Sequence, residues 1–417
     1  MTGEASKLWL LKGFAQAYGL QPEGPSPTAI LVGGGQILAF LDNEKQIAGA
    51  ESMSDDVCVL DVPGCILTPG LVDLHVHIIG GGGEAGPSSC TPSSQLSDFL
   101  DAGITTVVGV LGTDCVTRRQ ESLVSKCRAL NDDGITAYHW AGSYRVPPAT
   151  ITGSIQGDLC LVESCIGVGE IAVSDHRSSA PTPHELARIA SEARVGGMLG
   201  GKAGLVHVHM GTGMTQLQPL QNAIEISDVP ITQFLPTHME RNPSLVNAAK
   251  SWIDQGGYVD FTAGSKALDA VSQLLLAAPR QQEKYLRHCS ISSDSFGSLP
   301  VFDARGQLVK YEVAEPKELL RCMQQLLLQS RNTAGPQDRH MSLLRYLSLF
   351  TSNPAAQLKL PQKGQIAVGC DADILVLDAT TYELRYVFAK GKLMRTPDWV
   401  MGGAFERGDR IRPRKLQ

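Results

Sequence analysis

Positions 75–77 read His75-Val-His77, at the end of the apolar run Leu71-Val-Asp-Leu. Alternate side chains of a strand share a face, so the two imidazoles converge on one point, as a zinc with N–metal bonds of about 2.0–2.1 Å requires. Alone, such a pair is a weak signal, because packed polar pairs produce the same pattern. Here it follows Leu67-Thr-Pro-Gly-Leu-Val-Asp, which reads as the start of a strand. His209 closes Leu205-Val-His-Val-His-Met, His238 closes Phe234-Leu-Pro-Thr-His, and Asp294 closes Cys289-Ser-Ile-Ser-Ser-Asp. Any one of these alone is more often a satisfied polar residue than a ligand. Four histidines and one acid, all at strand ends, together point to metal-assisted chemistry. His207 faces the same way as His209, but its deeper place in the strand favours a packing role.

Such residues must be positioned by a scaffold. Strand candidates are Leu71–Ile78, 105–111, 136–140, 167–173, Leu205–Met210, Phe234–Thr237, 258–261 and 289–293, with helical stretches such as 183–199 and 217–226 between them. Strand-then-helix alternation of this kind predicts an α/β fold, a (β/α)₈ TIM-like barrel over residues 68–353, with its chemistry on the loops after the strands. Residues 1–67 read instead as short strands and turns, with Ala29-Ile-Leu-Val and Gln36-Ile-Leu-Ala-Phe separated by three glycines. Residues 354–417 repeat that style in Gly364–Gly369, Asp371–Asp378 and Tyr386–Met394. The two ends therefore predict one small β-sandwich domain built from both termini.

Composition narrows the function classes. The chain has 417 residues, 43% of them hydrophobic and 19% charged, enough apolar chain for a large core and too much for disorder or a coiled coil. With 36 basic and 42 acidic side chains the net charge is −6, which argues against nucleic acid as a partner. Apolar runs such as Leu274–Ala278 are far short of the ~20 residues that span a bilayer, so no membrane partner is expected. The first twenty residues are broken by Lys7 and Lys12 and hold no signal-peptide core. Ten scattered cysteines without a CxxC pair suit reduced thiols and a cytoplasmic location.

Several longer stretches resemble a known family. These are His75-Val-His-Ile-Ile-Gly-Gly-Gly-Gly-Glu84-Ala-Gly-Pro, Tyr144-Arg-Val-Pro-Pro with Thr150-Ile-Thr-Gly, Ser174-Asp-His-Arg177-Ser, His209-Met-Gly, Leu235-Pro-Thr-His238-Met-Glu-Arg241-Asn and Ser292-Ser-Asp294-Ser-Phe-Gly-Ser298. Over nearly the whole chain the sequence resembles the isoaspartyl (β-aspartyl) dipeptidases of the amidohydrolase superfamily. The resemblance implies a zinc-dependent hydrolase that splits the β-linked amide of small dipeptides by a metal-bound hydroxide. It implies two zinc ions, one on His75 and His77 and the other on His209 and His238, with Asp294 as ligand and general acid/base. Glu84 would hold the substrate ammonium. Arg177, Arg241, Tyr144, Ser298, Thr113 and the Gly82–Gly83 backbone would grip its carboxylates and carbonyl, and Tyr144 would also polarise the carbonyl under attack. By family analogy the chain would form a homo-oligomer, an octamer.

One position departs from the family pattern. A carboxylated lysine usually bridges the two metals from the fourth strand, and here the aligned residue in Gly167-Val-Gly-Glu170-Ile-Ala-Val is Glu170. Glutamate brings the same single negative charge on a shorter arm, so Glu170 is expected to bridge directly. Two alternatives stay open: another superfamily deacylase of the amino-sugar deacetylase type, and a non-catalytic barrel used as a scaffold.

Overall fold

The structure, a computed structural model, describes residues 7–414 apart from 55, 278–279, 304, 306–307, 334 and 336–337. The readings of the segment before residue 7, of Ala278 and of residues 415–417 lie outside the described residues.

Eight parallel strands form the frame: β1 (Leu71–Val76), β2 (Ile104–Gly109), β3 (Thr136–Ala141), β4 (Cys165–Val173), β5 (Leu205–Met210), β6 (Phe234–Thr237), β7 (Val259–Thr262) and β8 (Cys289–Ser292). β1 to β6 make one curled sheet in sequential order, and β7 pairs with β8. Backbone bonds join the two pieces. The Met239 N–H donates to Asp260 O at 3.3 Å, the Asp294 N–H to His75 O at 3.1 Å and the His77 N–H to Ser295 O at 2.9 Å. The expected α/β barrel is thus present, and its last closing bonds run through the residues read as metal ligands.

Each helix buries one stripe against this frame. Pro183–Gly200 begins with a capping box between Thr182 and Glu185, has proline in its first turn, and ends at Gly201 in the left-handed region. Its buried residues Leu186, Ile189, Ala190, Ala193 and Gly197 recur at helical spacing. A separate apolar cluster of Val72, Leu74, Val108, Val110, Trp140, Ile166, Leu205 and Leu235, with Ala355 and Leu358, supports the ligand strands from below.

The two ends of the chain meet in a sandwich. Gln36–Leu41, Ala29–Gly33, Leu8–Lys12 and Val57–Asp61 form one sheet. In the other, Cys65–Pro69 runs antiparallel to Ile374–Asp378, which continues through Leu384–Ala389 to Ile411–Pro413. Leu11, Ile30, Val32 and Ile37 of the first sheet pack on Leu67, Ile374, Val376 and Phe388 of the second. Neither expected boundary falls in a linker. Residue 68 lies inside Cys65–Pro69, a strand separated from β1 by Gly70 alone, and residue 353 lies inside the helix Ser352–Gln357.

Three local readings need correction. Gly364–Gly369 is not a strand: glycines at φ 70° and 86° bracket it, and only Ile366 bridges, to Leu20. Tyr386–Met394 is a hairpin that turns at Lys390-Gly391, both at positive φ. The N-terminal part also contains a helix, Glu44–Glu51, capped by the Asn43 side chain.

β4 is irregular where it matters most. Its pairing to β5 shifts register between Val168 and Ile171, around Gly169 and Glu170. Gly169 has φ +148°, and a Cβ there would lie 2.5 Å from the His207 carbonyl oxygen. Gly169→Ala is therefore expected to cost about 1–3 kcal/mol or more of stability, read as a lowered denaturation midpoint. A midpoint equal to that of the unmutated chain would remove this close approach from the account of β4.

Candidate active site

Glu170 reaches the mouth of the barrel fully buried. Its Oε2 lies 3.1 Å from His209 Nδ1, 3.4 Å from His75 Nε2 and 3.8 Å from His238 Nε2, and its Oε1 lies 3.9 Å from His77 Nε2. Asp294 Oδ1 sits 3.3 Å from His75 Nε2 and 3.2 Å from His77 Nε2. All six residues read from the sequence as ligands are thereby brought together. Three groupings could each hold an ion, with ligand atoms within 4.8 Å of one another: His75, His77 and Glu170; His75, His238 and Asp294; Glu170, His209 and His238. His238 and Asp294 follow their strands at φ 60° and 52°, a left-handed turn that non-glycine residues seldom adopt and that aims both side chains inward.

The electrostatics favour a bound cation. Burial works against charge on every group here. Even so, Glu170 lies well below the usual carboxylate range because His75 and His209 face it, and His75 and His77 hold Asp294 down as well. Burial opposes a charged His75, yet Glu170 and Asp294 raise it to about 9. Burial, followed by the nearby Arg241, lowers His238. His75 Nε2 and Glu170 Oε1 are buried with no hydrogen-bond partner. An unpaired buried polar atom is costly, and a divalent ion between these atoms would satisfy both. The imidazole and carboxylate donor set suits such an ion.

A second ring of polar residues surrounds the cluster. Glu84 Oε1 accepts from Thr113 Oγ1 at 3.0 Å and from Arg177 Nη1 at 3.3 Å, and its Oε2 accepts from Ser298 Oγ at 3.4 Å. Arg241 Nη1 donates to Met210 O at 2.8 Å and lies 3.2 Å from His209 Nε2. The Tyr144 hydroxyl is 2.8 Å from His209 Nδ1, and burial with the nearby Glu170 keeps it protonated. The loop before Glu84 folds back on itself. The Gly83 N–H donates to Ser89 O at 3.2 Å. Gly82, at φ 70°, has no room for a side chain, since a Cβ would lie 2.6 Å from Ser89 O.

Residues not singled out in the sequence complete the arrangement. Asp175 accepts from Arg177 Nε at 2.9 Å and Nη2 at 3.0 Å, and lies 3.2 Å from His209 Nε2. Its adjacency to Arg177 in Ser174-Asp-His-Arg was the available signal. Buried Asp260 accepts from the hydroxyls of Thr237, Ser290 and Ser292 at 2.7, 2.7 and 2.6 Å. No local pattern marks it, because its partners come from two other strands, β6 and β8.

Known proteins place this geometry in a family. The β-aspartyl dipeptidase of Fervidobacterium islandicum AW-1, solved in complex with a β-Asp-Leu dipeptide, is 35% identical, with a TM-score of 0.83, over 96% of this chain and 100% of that one. The chain belongs to the β-aspartyl dipeptidase family. The amidohydrolase family model matches residues 276–396, from before β8 into the second sandwich sheet. Among curated proteins, imidazolonepropionase of Colwellia psychrerythraea is 30% identical over 138 residues, so the chain spans about a third of that relative, 31% of each. Enamidase, at 17% identity and a TM-score of 0.62 over 93% of this chain and 95% of that one, shares the fold. For a β-aspartyl dipeptidase, Glu170 among four imidazoles is a carboxylate present without any modification. Metal-stripped protein is therefore expected to regain its divalent ion in carbon-dioxide-depleted buffer. Glu170→Ala should retain less metal than the unmutated chain by elemental analysis, and equal contents would put Glu170 outside the ligand set.

Proposed function

We propose that this chain hydrolyses the β-linked amide of isoaspartyl dipeptides with two zinc ions, for which Glu170 would serve as the shared ligand in place of a carboxylated lysine. The observation that carries the reading is the position of Glu84, tied to Arg177, Thr113 and Ser298 at the edge of the histidine–carboxylate cluster. An isoaspartyl dipeptide presents one ammonium and two carboxylates. One glutamate and two arginines match that set, and planar guanidinium pairs well with carboxylate. The relative that covers nearly the whole chain was solved with such a dipeptide.

In this reading His75 and His77 would hold one metal and His209 and His238 the other, and Asp294 would complete the set. Bound there, the metals would supply Lewis acidity and lower the pKa of the attacking water. Asp294 takes the proton from the attacking water and returns it to the leaving amine, a general acid–base role. Tyr144, still protonated, donates to the carbonyl oxygen as negative charge develops on it. Thr113 and Ser298 fix the two oxygens of Glu84, so that it meets the substrate ammonium in one orientation. Arg177 and Arg241 take the carboxylates, and Gly82 lets the substrate approach the loop backbone. The substrate is a small dipeptide. The working form is a cytoplasmic homo-oligomer, an octamer by family analogy.

Two outcomes test the assignment. Asp294→Asn keeps the shape but accepts no proton, so kcat for β-Asp-Leu is expected to fall about 10²–10⁴-fold while the dipeptide still binds, and an unchanged kcat would remove Asp294 from the chemistry. Glu84→Gln loses a charged hydrogen bond worth about 1.5–3 kcal/mol, and kcat/KM for β-Asp-Leu should drop by the corresponding factor. If Glu84→Gln and Arg241→Met both hydrolyse β-Asp-Leu normally, the substrate assignment fails.

A further inference from the structure

His207 lies one step deeper in β5 than His209 and is fully buried. Its ring spans two elements. Nδ1 is 3.2 Å from the Leu235 carbonyl oxygen of β6, and Nε2 is 3.0 Å from His75 Nδ1 of β1. A carbonyl only accepts, so His207 Nδ1 carries the proton. The Nε2 of a neutral ring with that tautomer carries a lone pair, which accepts from His75 Nδ1–H. When a metal ion replaces the proton that Glu170 and Asp294 otherwise favour there, His75 presents to it the lone pair of Nε2, the atom that faces both carboxylates.

The geometry points to His207 as a positioning residue that fixes the tautomer and ring orientation of His75 for the metal. The surroundings hold the relay rigid. Trp140 stacks on His207 with ring centroids 4.9 Å apart and planes 17° from parallel, and its Nε1 donates to Leu74 O, the residue before His75, at 2.9 Å. On the β4 side, Gly169 clears the His207 carbonyl, where a Cβ would clash. A metal-bound imidazole commonly gives its other N–H to a carboxylate, carbonyl or water; here the acceptor is another imidazole, itself anchored on a backbone carbonyl.

This inference rests on the metal-binding reading of the site, and zinc affinity separates the two. Metal-stripped protein is titrated with zinc against a competing chelator. His207→Leu is expected to bind zinc about 10–100-fold more weakly, and His207→Gln, whose amide oxygen can accept from His75, should recover most of that loss. Melting of the metal-free proteins is followed in parallel, so that a loss of packing is not read as a loss of affinity. Unchanged zinc affinity in His207→Leu, or equal weakness in the leucine and glutamine variants, overturns the relay and leaves the metal site standing. An unmutated chain that takes up no zinc overturns the metal reading, and the relay with it. Should the leucine variant not fold, ¹⁵N NMR of histidine-labelled, zinc-loaded protein decides. A proton on His75 Nδ1 with zinc on Nε2 is expected, and zinc on Nδ1 overturns the relay.

Discussion

A carboxylate with no exposure to solvent must find cations or become neutral. Glu170 remains ionised because His75, His209 and His238, on and just after β1, β5 and β6, converge on it. Much of the barrel can be understood as what that convergence requires. β4 breaks its register beside Glu170, and the turns after β6 and β8 take left-handed backbone at His238 and Asp294. The seam that closes the barrel bonds Asp294 to His75 and His77 to Ser295. Scaffold closure and ligand placement are thus made by the same residues.

Support extends outward in layers. Asp260 gathers hydroxyls from β6 and β8 beneath the ligands, and Asp175 clamps Arg177 beside His209. These acids do not define the reaction; they fix the angles at which the reacting groups stand, and buried networks of this kind hold their geometry only when every member is satisfied. The sandwich contributes continuity, since Cys65–Pro69 hands over to β1 across a single glycine.

The strands were readable where apolar runs end in polar residues: Leu205–Met210 and Phe234–Thr237 match the sequence reading, and the other barrel strands differ by a few residues at their ends. Histidines at strand ends were readable because period-2 alternation is local. What escaped depends on contacts distant in sequence. His207 looked like a packed core histidine, and only folding puts its ring against His75, 132 positions away. Gly364–Gly369 had strand composition but glycines in left-handed backbone. The hydrogen bond from Gly83 to Ser89 likewise follows from a loop fold that residue types do not encode.

Glu84 and Arg177 contact each other across 93 positions of sequence. The mouth of the barrel therefore already holds, in its own side chains, an ion pair of the kind a zwitterionic ligand would offer. Binding by such a ligand would be an exchange of partners: one internal pair opens and two new pairs form, with no isolated charge at either end of the process. A ligand carrying only a carboxylate would open the same pair and leave Glu84 without a cation, whereas Arg177 would keep its pairing with Asp175 in either case. The contact would thus disfavour molecules that bring a carboxylate without an ammonium, and it would do so before any bond is broken.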